Sequence, residues 1–363
     1  MRKLIFTCVL INIYSLCFAQ LAKESAHSQF DTVLPNAQHY ADSIREAMGI
    51  PGLSIAVSIN DEIVWSEGFG FSDVENKRVV SPETKFRIGS VSKSLTSIGM
   101  AKLVKDGKLS LDDYVQTYVP DFPEKKHKFT VAQLATHQSG IPHYRMSDMF
   151  INRRFESVSE SLDVFKKRKL KFQPGTGFQY STFGYVLLSA VMEKASGMEY
   201  LQFMERAVFH PSGAYNTVAD RQEIEISGRS EFYKRGKTKK AKKADLSYKW
   251  AGGGYLSTSE DLVRIVDGMD TLLGEDITEL LWTPRPLSDG TMNPQFYGLG
   301  WRKYTSKSGT VAIHHGGVSV GGRAFLAVFP EENVTVVILA NSPVQFGLRE
   351  AFHIYRLFTE KIN

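Results

Sequence analysis

Ser90-Val91-Ser92-Lys93 sets a hydroxyl and an amine three residues apart, the only Ser-x-x-Lys in the 363-residue chain. Leu95, Ile98, Ala101 and Leu103-Val104 recur behind it at helical spacing, and Gly107 follows Lys102 and Lys105, the usual signature of a helix end. The pattern predicts a helix starting near Ser90. Residues i and i+3 share a helix face, so Lys93 can lie beside the Ser90 hydroxyl. A serine attacks a carbonyl once a neighbouring base takes its proton, and a desolvated lysine can share that task. Helix-start amides and the helix dipole favour negative charge at the same place.

Tyr180 closes the run Pro174–Thr182, just before an apolar helix over 183–195. Taken alone it reads as a core tyrosine. Beside an ammonium its phenolate is favoured, and it can then serve as base for a serine and as acid for a leaving group. His314-His315-Gly316-Gly317 ends a β-rich run. Paired glycines let a substrate backbone lie close along a strand edge. Side chains alternate along a strand, so one histidine faces a cleft and the other faces away.

These residues need a frame. A helix is expected from Pro35, with Ala37, Tyr40, Ala41, Ile44 and Met48 on one stripe. Two strands, 53–59 and 63–68, follow around Asn60-Asp61-Glu62, a hairpin signal. Between 109 and about 250 helical patterns dominate, with helices at 131–135, 183–195 and 201–209. A capping box at Ser257-Thr258-Ser259-Glu260 opens a helix through Met269. Strands return at 297–304, 311–314, 324–329 and 334–339, before a terminal helix over 347–358. The reading is an α/β (α+β) fold. An antiparallel sheet of N- and C-terminal strands is flanked by helices, and a mainly helical lobe is inserted. Residues 30–108 and 250–363 form the α/β part and 109–249 the helical part of one catalytic domain over 20–363.

Apolar content of 42% and charged content of 23% are ordinary for a globular chain. Met1-Arg2-Lys3, the apolar run Leu4–Leu16 and Cys17-Phe18-Ala19 read as a signal peptide over 1–19, hence an exported, periplasmic or secreted protein. That run is too short for a stable membrane anchor. Both cysteines, Cys8 and Cys17, fall inside it, so the mature protein has no thiol nucleophile. The formal charge of +5, or +3 without Arg2 and Lys3, does not argue for nucleic acid. Its one basic cluster, Lys234 to Lys243, reads as a solvated hairpin tip, with an anionic wall polymer or lipid surface as the other reading. His137 with His143 and His314 with His315 lack metal-ligand spacing. No metal or other cofactor is called for, because Ser90, Lys93 and Tyr180 supply a complete chemistry.

Ser90-x-x-Lys93, Tyr180-Ser-Thr182 and His314-x-Gly316, in that order, resemble the three motifs of the serine β-lactamase and penicillin-binding superfamily, in its class C-like branch. His137–Pro142, Tyr180–Tyr185, Ser247–Gly254 and Tyr297–Trp301 extend the likeness over about 35–355. It is closest to the mitochondrial serine β-lactamase-like proteins and their bacterial relatives. The resemblance implies an acyl-enzyme on Ser90, with Lys93 and Tyr180 handling protons. It places Ser90 and Gly317 N–H groups at an oxyanion hole, and Thr182, His314 and Gly316 at the substrate. Penicillin-hydrolysing members usually have Asn at Thr182 and Lys at His314. The chain is therefore expected to be a peptidase or esterase acting on a small-molecule or peptide substrate. A penicillin or D-alanyl peptide hydrolase is one alternative. A filament-forming scaffold, as known in the mitochondrial relative, is another. The oligomeric state is left open.

Overall fold

The computed structural model describes residues 30–145, 147–148 and 151–360. The expected signal peptide lies outside them. Among the described residues ten strands build two sheets: β1 (Gly52–Ile59), β2 (Glu62–Asp73), β3 (Arg78–Val79), β4 (Phe86–Arg87), β5 (Val218–Ala219), β6 (Tyr255–Ser257), β7 (Arg302–Thr305), β8 (Val311–Ser319), β9 (Gly322–Phe329) and β10 (Val334–Ala340). The large sheet runs β3-β2-β1-β10-β9-β8-β7, with every pairing antiparallel. N- and C-terminal strands meet at its centre, where Leu53 pairs with Ala340 and Ile59 with Val334. Asn60 and Asp61 turn the β1–β2 hairpin with φ of 51° and 65°, the conformation a tight hairpin turn demands.

Both faces of this sheet are covered, and strict alternation sorts the side chains. Leu53, Ile55, Val57, Ala312, Phe325, Ala327, Val336 and Ile338 pack with helices α1 (Leu34–Ala47) and α7 (Leu348–Thr359). Ile313, Ala324, Leu326, Val328, Val337 and Leu339 point the other way. There they meet α2 (Ser92–Lys105), α3 (Val131–Ala135), α4 (Thr182–Ser196), α5 (Trp250–Gly253) and α6 (Ser259–Asp267). Thr258, one residue later than the expected Ser257, caps α6 by accepting from Asp261 N–H at 3.1 Å.

The structure departs from expectation in four places. The strand expected over 311–314 runs on to Ser319, so His314–Gly317 lies within it rather than at its end. Residues 297–301 are not strand. Gly300 sits at φ +88°, with no room for a Cβ against Ser97 of α2, and Asn293 ties both backbone groups of Tyr297 at 2.9 Å. The helix expected over 201–209 narrows to Tyr200–Met204 and widens into a π turn over Glu205–Phe209. A second sheet, β4-β6-β5, has strands of two or three residues, too short for any period to show.

That small sheet carries the chain into Ser90. Arg87 of β4 is buried. Its Nε donates to Asp220 Oδ2 at 2.6 Å, and its Nη1 donates to Val320 O in the β8–β9 turn at 2.7 Å. Arg229 takes the other Asp220 oxygen at 2.7 Å. These contacts tie the strand before Ser90 to Asp220 after β5 and to the β8–β9 turn. The lysine-rich segment forms a hairpin closed by Tyr233 and Lys240, where Lys240 faces Glu75 and Glu231.

Candidate active site

Ser90 lies in a 3₁₀ turn, Gly89–Val91, that runs into α2 at Ser92. The turn rests on the edge of β8. Strand β7 stops at Arg302, opposite His314, so β8 beyond that point has no strand partner on this side. Gly89, at φ +51°, fits here because a Cβ would lie 2.7 Å from Val318 O. Gly317 fits for the same reason: a Cβ would lie 1.9 Å from Ile88 O and 3.0 Å from Ser90 N. Two glycines therefore press the Ser90 turn and β8 backbone to backbone.

Lys93 is fully buried, with Nζ 3.3 Å from Ser90 Oγ and 3.2 Å from Thr182 Oγ1, and it donates to Gly252 O in α5. The Tyr180 ring centroid stands 4.8 Å from Nζ. The structure thus brings Ser90, Lys93, Tyr180, Thr182 and Gly317 together. Burial pushes the Lys93 amine well below its ordinary range, and the positive charges of Lys249 and Arg302 add to this. A neutral amine has two N–H donors, which Gly252 O and Thr182 Oγ1 can accept, and one lone pair left for the Ser90 O–H.

The phenolate expected at Tyr180 is not what this environment favours. Burial pushes the Tyr180 hydroxyl up to about 12, outweighing the nearby Arg302 charge. Lys93, itself pushed down by burial, offers little positive charge to offset it. The hydroxyl is buried near Ser90 and Arg302 without a hydrogen bond of normal geometry.

Three substrate-binding expectations are corrected. Thr182 is 2% exposed and holds Lys93 rather than facing a substrate. His314 shares the Ala312 side of β8 and stacks on Phe325 at 5.4 Å, on the α1/α7 face. Burial and Arg302 push it down to about 3, so it is neutral at physiological pH. Gly316 likewise looks toward Phe325 and Arg323. The site-facing pair is His315 and Gly317. His315 Nδ1–H donates to Gly316 O at 2.8 Å, and its Nε2 accepts from Tyr297 O–H at 3.1 Å. Its ring is 6.1 Å from that of Tyr180.

Sequence reasoning missed the supports of this cluster. His137 Nδ1 accepts from Ser181 N–H at 3.2 Å, and His143 Nδ1 accepts from Thr182 N–H at 3.0 Å. Both histidines so hold the start of α4, the one behind Tyr180 at 4.4 Å between ring centroids. Arg302 lies over Tyr180 and Tyr297, 5.3 and 5.1 Å from their centroids. The Tyr297–Trp301 motif adjoining Arg302, and the i, i+2 spacing of His315 and Gly317, were the available signals. Among the described residues no group of three or more His, Cys, Asp or Glu side chains could hold a metal ion. No described helix is long and apolar enough to cross a membrane.

The family model for beta-lactamases matches residues 40–357. This chain belongs to the beta-lactamase family. The family member is 32% identical to the human serine beta-lactamase-like protein LACTB, mitochondrial, over 85% of this chain and 74% of that protein. Protein flp of Staphylococcus aureus strain MW2 is 26% identical over 80% of this chain and 60% of its own length. Among solved structures, an octameric penicillin-binding protein homologue from Pyrococcus abyssi matches with a TM-score of 0.79 and 25% identity, covering 90% of this chain and 78% of that one. These likenesses support the serine β-lactamase and penicillin-binding superfamily, and with it the expected mixed α/β architecture. They overturn the expected localisation. The human, mouse and bovine relatives are all named mitochondrial, which points away from a periplasmic or secreted protein.

Proposed function

We propose that this family member cleaves an amide or ester of a peptide or small molecule by passing its acyl group to Ser90. The observation that carries the reading is Lys93: a buried amine, pushed well below its ordinary range, 3.3 Å from the hydroxyl of a partly buried serine. The amine takes the Ser90 proton as Oγ attacks the carbonyl carbon. Negative charge then develops on the carbonyl oxygen, where the N–H groups of Ser90 and Gly317 are the candidate donors. Tyr180, protonated at neutral pH, hands its proton to the leaving group and recovers one from Lys93. Water attacks the acyl-serine, and the same groups return Ser90 to its starting state.

An ester or peptide substrate is favoured over a penicillin because buried Thr182 offers no contact to a substrate amide and His314 no charge to a carboxylate. The naming of the mammalian relatives supports a mitochondrial setting. The octameric homologue is a reason to measure the assembly state. A fluorophosphonate probe tests the nucleophile. Wild-type protein should be labelled on Ser90 and Ser90→Ala should not; an adduct on Ser92 or Ser94 would refute the assignment.

A further inference from the structure

A cavity of about 400 Å³ lies against the small sheet and shares no lining residue with the cluster around Ser90. Its size falls in the range that holds small-molecule ligands. Leu201, Phe209, Ala214, Val218, Ile226 and Tyr255 give it apolar walls, and the exposed Tyr215 and Ile224 line it too. The π turn Glu205–Phe209 contributes to one side. Such turns are rare and recur at functional sites.

One charge in this lining is unanswered. Arg221 is partly buried, 5.9 Å from the Trp250 ring centroid. Its guanidinium makes no ion pair or hydrogen bond with the described residues. The lining carboxylates do not neutralise it. Glu205 is engaged by His210 Nε2 at 3.2 Å, and the exposed Glu225 forms no ion pair with Arg221. Apolar walls with a lone guanidinium suit a chain that carries an anionic head. The chain covers the walls, and a carboxylate matches the planar fork of the arginine.

The cavity also reaches the active turn, because Tyr255 belongs to both. Its ring packs edge-on against Phe209 at 5.2 Å in the cavity wall. Its main-chain N–H donates to Ser92 Oγ at 3.4 Å, and its carbonyl accepts from Ile88 N–H at 3.2 Å. Ile88 and Ser92 flank Ser90 on either side.

We propose that this cavity binds a medium-chain carboxylate, with the chain against Phe209 and Tyr255 and the head on Arg221, and that occupancy reaches the Ser90 turn through Tyr255. The inference goes beyond the acyl-serine reading, and the binding it predicts holds whatever Ser90 does.

The test titrates octanoate, below its micellar range, into the whole protein by calorimetry. Wild type should bind it saturably at one site. Hexanoate should bind about tenfold more weakly, since each buried methylene is worth roughly fourfold. Octanol, which lacks the charge, should also bind about tenfold more weakly. Arg221→Gln should weaken octanoate binding to the same extent, and Arg221→Lys should recover part of it. Val218→Trp fills the cavity from the strand edge and should abolish binding with a native circular dichroism spectrum; if that variant does not fold, the two arginine variants decide. No saturable binding, or octanoate held equally well by Arg221→Gln, overturns the site. Saturating octanoate should change kcat for p-nitrophenyl acetate while KM holds, and Arg221→Gln should lose that response. A KM that rises with kcat fixed means that the carboxylate competes at Ser90, and overturns the cavity assignment. Kinetics untouched by bound octanoate overturn the link to Ser90. If no ester turns over at all, the hydrolase reading falls and the calorimetry still judges the site.

Discussion

At the scale of single residues, the chemistry turns on which partner of the Lys93–Tyr180 pair is uncharged. Burial pushes the lysine amine well below its ordinary range and the tyrosine hydroxyl up to about 12. kcat/KM should accordingly rise with pH along a limb centred below lysine's ordinary 10.5, because the deprotonated amine is the active form. Lys93→Ala should lower kcat by several orders of magnitude and remove that limb, and Tyr180→Phe should lower kcat while keeping it. A pH–rate profile of each variant decides this; a limb that survived in Lys93→Ala would remove the lysine as base. Ser90 and Lys93 were legible because their spacing is local, one helical turn. The charge state of Tyr180 was not. It depends on Arg302, 122 positions along the chain from Tyr180, and on a burial that no local pattern displays.

At the scale of elements, the active turn is built by absence of side chains. Gly89 and Gly317 let the 3₁₀ turn and β8 touch through their backbones. Gly317→Ala places a methyl 1.9 Å from Ile88 O. It should cost about 1–3 kcal/mol of stability. By shifting the Ser90 and Gly317 N–H groups apart it should also lower kcat by about a hundredfold or more. Thermal melts with esterase kinetics measure both, and unchanged kcat would take Gly317 out of the oxyanion hole. The strands themselves were readable from their apolar runs. The two-residue pairings of β4, β5 and β6 were not, since they are specified by Arg87, Asp220 and Val320, which meet only in the folded chain.

For the molecule as a whole, the buried histidines set an acid limit. His143 titrates near 4 when folded, against an ordinary 6.5. Between those values the unfolded chain holds a proton that the folded chain lacks, so stability rises with pH across the window and is lost as pH falls. His314, down to about 3, and buried His137 and His315 act with the same sign. Protonating His143 at Nδ1 would also break its bond from Thr182 N–H. Tm should fall steadily as pH drops from about 6.5 toward 4. His143→Asn, which keeps an acceptor without a titrating ring, should make the fall shallower. A Tm indifferent to pH in this range would show that these rings protonate freely in the fold. That N- and C-terminal strands share one sheet was legible from their β-rich runs; that β1 and β10 pair at its centre was not, because strand order is set by contacts far apart in the chain.

The doubled run His314-His315-Gly316-Gly317 has a consequence for how faithfully molecules assemble. If β8 slipped by one position, His314 and Gly316 would stand where His315 and Gly317 belong, and the site itself would offer little penalty. The penalty falls on the flanks, where buried Ala312 and Ile313 would exchange faces and lose their fitted neighbours. Correct alignment is therefore enforced away from Ser90. Ile313→Thr, which weakens that enforcement, should reduce the fraction of refolded molecules that a fluorophosphonate can titrate, while those that titrate keep normal turnover. Burst titration beside total protein would separate the two, and a full titratable fraction with slow turnover would mean that the flank tunes the chemistry instead.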